Sequence, residues 1–180
     1  MLRSIPAIIA AIQLSQPAVT DEEAHRFATA LQQQAKVHDF DPFSGVAMIF
    51  FESSFKPHVV SRDGEDYGLA QIRARFIGNC KAAPSPVQNP TPECLEEKAR
   101  LLEPEENIRV MAELITRHRN LCKRKVGSTK FVRWLASYQG RNNPKAKRYC
   151  RPGAATHKIV EYRKKLIWQL YKKGILKTPS

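Results

Sequence analysis

Val46 to Phe51 is the most apolar stretch of the chain, and it ends on an acid, Glu52. Asp41-Pro42 precedes it, a pairing that suits an N-cap residue followed by proline at the first helical position. A helix started there turns Phe43, Val46, Ala47 and Phe50 inward and brings Glu52 close to its C-terminal end. Structural carboxylates favour the opposite end, where the helix dipole is positive. An acid in this setting, held against Phe50, Phe51 and Phe55, loses hydration; its pKa rises toward neutrality, and it becomes able to donate a proton there. Cleaving an acetal requires that step, because a glycosidic oxygen leaves poorly until it is protonated.

Helical patterning recurs on both sides. Thr20-Asp-Glu-Glu23 has the form of a capping box, and Ala24, Phe27, Ala28, Leu31 and Ala35 predict a helix from about Asp21 to Val37. Ser61 to Ile72 contains Gly64 and Gly68 among polar residues and reads as a turn or small hairpin. Between Cys80 and Cys94, Pro84, Pro86, Pro90 and Pro92 predict an irregular surface excursion. Three more helices are expected. One starts at Glu103-Pro104 and carries Ile108, Met111 and Ile115; a second starts at Ser128, carries Phe131, Leu135 and Tyr138, and stops at Gly140. The last starts at Thr156, carries Ile159, Val160, Leu166, Ile167 and Leu170, and stops at Gly174. Its other face holds Arg163, Lys164, Lys165, Lys172 and Lys173, which read as a solvated surface.

With 180 residues, 42% of them apolar, the chain fits one globular domain. Charge is unevenly spread: residues 117–180 hold 19 Lys and Arg against the single Glu161, within a net charge of +13. A one-sided positive field favours encounter with polyanions, namely nucleic acid, acidic lipid or an anionic wall, and does not choose among them. Cys80, Cys94, Cys122 and Cys150 lack metal-ligand spacing. They allow three disulfide pairings, of which Cys80 with Cys94 and Cys122 with Cys150 is the most economical, since each closes a loop rich in Pro, Gly or Asn. Arg3 before the apolar run Ile5 to Leu14 gives residues 1–18 two readings, a signal peptide or an N-terminal strap packed on the domain. A run of ten residues is too short to span a bilayer.

Four blocks occur in a telling order: Ala47-Met-Ile-Phe-Phe-Glu52-Ser-Ser-Phe with Ser61 and Gly64; Tyr67-Gly-Leu-Ala-Gln-Ile72; Leu102-Glu-Pro104 with Asn107-Ile108; and Ala136-Ser-Tyr138-Gln-Gly140. From about Asp41 to Tyr162 the chain resembles the lytic transglycosylases and goose-type lysozymes of the lysozyme superfamily. The resemblance implies an α+β, mainly α, lysozyme-like fold, a helical bundle with a small β-hairpin or loop lobe, as one catalytic domain over residues 20–176. It implies cleavage of the MurNAc-β-1,4-GlcNAc bond of peptidoglycan glycan strands, with Glu52 as general acid and then base, and with no metal or cofactor. A monomer in the periplasm or outside the cell is expected, held on an anionic wall by its basic half, with no specific nucleic acid as partner.

By the same resemblance Ser61 and Gln71 line the sugar cleft, Tyr138 approaches the glutamate, Tyr67 and Gln139 belong with them, and Asn107 supports the architecture. Two positions depart from the family pattern, Ala70 for Met and Gln139 for Asn. A third departure, Asp63-Gly-Glu-Asp66-Tyr-Gly68, resembles the turn of chicken-type lysozymes, in which the aspartate before Tyr-Gly is a second catalytic carboxylate. Asp66 facing Glu52 suits hydrolysis, as nucleophile or ion stabiliser at about 5 Å or by positioning water at a larger gap. Otherwise Glu52 acts alone, and the muramic acid C6 hydroxyl closes onto C1 to give a 1,6-anhydro product. The acidic turn also suggests sugars with free, cationic amines. The rival reading is a basic binding module without catalysis.

Overall fold

A computed structural model describes residues 4–83, 85 and 87–177; Arg3, Pro84 and Pro86 of the segments read above lie outside the described residues. Ile5–Ser15 forms α1, whose Ala7, Ile8, Ala11 and Ile12 are fully buried. Asp21–His38 forms α2, opened by the capping box: Thr20 Oγ1 accepts from Glu23 N, and Thr20 N donates to Glu23 Oε2 at 3.0 Å. Pro42–Ser53 forms α3, with Asp41 accepting from Phe43 N at its start. Pro42 to Ile49 are all buried, so the first two turns of α3 form a core helix surrounded by other elements. Its neighbours are α1, α2 and α7 (Ala154–Lys172).

A two-stranded antiparallel sheet follows, β1 (Asp66–Tyr67) and β2 (Ile72–Arg73), with Asp66 opposite Arg73 and Tyr67 opposite Ile72. Two 3-10 turns lead on to α4 (Pro92–Arg100), α5 (Pro104–Val126) and α6 (Phe131–Tyr138). The architecture is the expected one, mainly helical with a small β lobe. Between the first two cysteines the described residues from Ala82 to Thr91 are irregular, as expected, and α4 then begins at Pro92, where no helix was expected. Thr91 caps it through Cys94 N and Pro92 opens it, so this proline starts a helix instead of preventing one.

Asn107 joins the β lobe to α5. Fully buried, it accepts from Ala70 N at 2.8 Å and donates to Tyr67 O at 2.8 Å and to Leu101 O at 2.7 Å. Gly68 lies at φ +73, and a Cβ there falls 2.3 Å from Asn107 Nδ2 and from Leu101 O, so a side chain is excluded on both counts. Arg163 corrects the reading of the α7 basic face as merely solvated. It pairs with Asp41 and lies 5.4 Å from the Phe131 ring, tying α7 to the start of α3.

The disulfides are Cys80–Cys94 and Cys122–Cys150, the economical pairing. The first closes a loop of about 15 residues, and its removal by Cys80→Ser with Cys94→Ser is expected to cost about 3 kcal/mol in a denaturant titration. No helix among the described residues is long and apolar enough to cross a membrane.

Candidate active site

Glu52 reaches the surface because α3 ends one residue later. Ser54 and Phe55 turn the chain at φ 52 and 62, a left-handed pair without glycine. Phe55 is buried there and stacks on Phe27 at 6.2 Å. Phe50 and Phe51 pack on Tyr162 of α7, at 4.7 and 5.3 Å between centroids. Glu52 instead shares a groove of about 690 Å³ with Ile72, Leu114 and Tyr138.

Among the described residues no ion pair or hydrogen bond to the Glu52 carboxyl is found. Burial raises its pKa to about 7, and the negative charge of Asp66 adds to the effect. Near neutrality such a group is present in both forms. It can therefore give a proton to a leaving oxygen and take one back in the next step.

Asp66 lines the same groove, but it does not stand free. Its two oxygens accept from Arg73 Nε and Nη2 at 3.0 and 2.9 Å, a fork across the β1–β2 pair. Arg73 also lies 3.5 Å from Glu65 and 3.8 Å from Asp63, and Arg75 pairs with Glu65. Two arginines thus offset two of the three negative charges of the acidic turn.

The structure brings Gln71, Tyr138 and Gln139 to the groove beside Glu52 and Asp66. Gln71 sits at φ 46, and its Nε2 donates to Val59 O and Gly68 O, both at 3.1 Å. The Tyr138 hydroxyl donates to Ala70 O at 3.2 Å, and burial among the two carboxylates pushes its pKa well up. Gln139 Oε1 accepts from Thr156 Oγ1 at 2.7 Å, which joins the end of α6 to α7.

Ser61 and Tyr67 are not among the groove's lining residues. Ser61 Oγ donates to Asp63 at 2.5 Å and accepts from Asp66 N at 2.9 Å, so it shapes the turn that presents Asp66. Tyr67 is buried, with its hydroxyl on Gly64 O at 3.0 Å.

The sequence reading passed over Arg73, Phe76, Lys81, Arg117 and His118, all of which line the groove. His118 lies 2.8 Å from Ser137 Oγ and edge-on to Tyr138. Burial, and then the charge of Arg117, lower its pKa to about 4, so the ring is neutral in use. Buried Ser137 also accepts from Asn142 Nδ2 at 2.9 Å, which fixes the hydroxyl that His118 meets. A signal existed: Asn107, Met111, Ile115, His118 and Cys122 form one helical stripe. Phe76 is 57% exposed, an aromatic face open to a sugar ring. No group of His, Cys, Asp and Glu among the described residues could hold a metal ion.

A groove of about 690 Å³, a protonatable glutamic acid within it and a helical frame with a small β lobe agree with the comparison to protein families. Residues 30–157 match the model of the transglycosylase SLT domain. No curated protein and no solved structure gives a match. The chain therefore belongs to the transglycosylase SLT domain family, and its role is of the lytic transglycosylase type, glycosidic cleavage in peptidoglycan.

Proposed function

We propose that the chain cleaves the MurNAc-β-1,4-GlcNAc bond of peptidoglycan with Glu52 as its one acid and base, and that it releases 1,6-anhydro product without water. The neutral Glu52 carboxyl protonates the bridging oxygen as the bond to C1 breaks. The resulting carboxylate takes the proton of the muramoyl C6 hydroxyl, and that oxygen closes onto C1. Proton count balances, because the acid finishes in the form in which it began. The observation that carries this reading is the unpaired, desolvated Glu52 at the groove, with a pKa raised to about 7.

Asp66 favours the same route through its arginine. A carboxylate engaged by both guanidinium nitrogens at 3.0 and 2.9 Å is a weak nucleophile and stabilises a nearby cation less than a free one. The second reading is hydrolysis with Asp66 as partner, favoured by its place in the same groove and its effect on Glu52. Gln71, Tyr138 and Gln139 hold the glycan in this proposal, while Ser61 and Tyr67 act through the turn. Phe76 stacks on a sugar ring, so Phe76→Ala is expected to raise KM about fivefold with little change in kcat in a steady-state assay.

We place the enzyme in the periplasm or outside the cell, where its two disulfides persist, as a monomer on the anionic wall. The domain is proposed to start at α1 and not at residue 20, since removing α1 uncovers apolar surface of α2, α3 and α7. Mass analysis of digested sacculi tests the chemistry. Anhydro-muropeptides are the expected product, reducing ends favour the Asp66 reading, and intact sacculi leave a binding module.

A further inference from the structure

Away from the cleft, the end of α5, the start of α6 and the segment 147–151 enclose a hollow of about 380 Å³. It shares no lining residue with the groove at Glu52. Lys130, Arg133, Lys147, Arg148 and Arg151 line it, and none of the five forms an ion pair among the described residues. Elsewhere several arginines of the chain are set against carboxylates, as at Arg26, Arg73, Arg100, Arg109 and Arg163. Here it supplies none. From Lys123 to Arg151 the sequence holds 10 Lys and Arg and no acid.

Like charges disperse unless a frame holds them. The frame here is the Cys122–Cys150 disulfide, which ties α5 to the segment, together with a short bridge. Asn143 N donates to Arg148 O at 2.6 Å, Arg148 N donates to Asn143 O at 2.9 Å, and Cys150 N donates to Asn142 Oδ1 at 2.9 Å. Arg133 Nη1 donates to Cys150 O at 3.4 Å, so one cation is itself set against the frame. A fixed concave group of cations without internal counter-charge attracts an outside anion. Guanidinium forks match phosphate oxygens in pairs. The aromatic ring in the hollow, Tyr149, is half-buried with Lys125 Nζ 5.2 Å above it, which leaves no open platform for stacking a base.

We propose that this hollow binds a phosphodiester polymer without bases, of the glycerol phosphate type, and so fixes the domain on a phosphate-bearing polymer while the cleft works on glycan. The site does not depend on the chemistry of Glu52. Binding of synthetic poly(glycerol phosphate), followed by titration calorimetry between 50 and 200 mM salt, tests it; these are roughly the conditions under which phosphate contacts separate from other contacts. Lys130→Ala with Arg148→Ala, one residue from each wall, is expected to weaken binding at least about tenfold and to lower the salt slope by about 1.5. Lys165→Ala with Lys173→Ala, on the exposed surface of α7 and beyond, is expected to change binding less than about twofold, and glycan cleavage by the first pair is expected to stay at the wild-type rate.

Equal losses in the two pairs overturn the proposal in favour of diffuse surface charge. Tighter binding of a single-stranded DNA of matched charge overturns it in favour of base recognition. Equal binding of polyglutamate removes the phosphate preference. A parallel loss of glycan cleavage in the first pair removes the separation of the two sites.

Discussion

Glu52→Gln lowers glycan cleavage by about 10²–10⁴-fold and leaves glycan affinity within a few-fold, because an amide fills the same space and has no proton to give. The same substitution changes stability in a pH-dependent way. The folded carboxyl titrates near 7 and the reference carboxyl at 4.5, so the folded state holds the proton over a range in which the unfolded chain has released it. Below pH 4.5 both states are neutral at this position, and the stability is fully present. It is lost as pH rises through 7, by up to about 3 kcal/mol. Glu52→Gln has no such loss. Its thermal midpoint is expected to gain on the wild type between pH 4.5 and 7 and to keep that lead above pH 7. A difference in midpoint that is flat from pH 4 to pH 8 contradicts the buried, protonated acid.

Asn107→Ala is the substitution expected to harm the fold most, by about 3–5 kcal/mol in denaturant titration. It removes three hydrogen bonds at once, the one from Ala70 N and those to Tyr67 O and Leu101 O. A domain of this size holds about 5–15 kcal/mol in total, so the thermal midpoint should fall by about 10 °C. The loss also reaches the site, since Ala70 O receives the Tyr138 hydroxyl and Ile72 and Arg73 follow directly in β2. A cost below about 1 kcal/mol shows that water replaces the amide and that the lobe is held by other means.

The acid, the second carboxylate, Gln71, Tyr138 and Gln139 were legible as blocks, and the groove brings these residues together. Helical spacing and caps gave α2, α3, α5 and α7 closely, because their signals are local. Thr91-Pro92 carries the same opening signature as Asp41-Pro42, yet α4 was missed there, since the number of prolines outweighed the position of one. Arg73 escaped for a different reason. Its meeting with Asp66 depends on the register of two two-residue strands, which the sequence does not state. The groove beside Glu52 draws Ile72, Leu114 and Tyr138 from β2, α5 and α6, a convergence of distant segments that local patterning does not state.

The claim on which the rest stands is that Glu52 keeps its proton close to neutral pH in the free protein. Carbon-13 NMR titration of the glutamate side-chain carboxyls, with Glu52→Gln to assign the resonance, measures this directly. The account predicts a midpoint at about 7. A midpoint near the ordinary 4.5 contradicts it, for the acid would then be ionised when the glycosidic oxygen needs its proton.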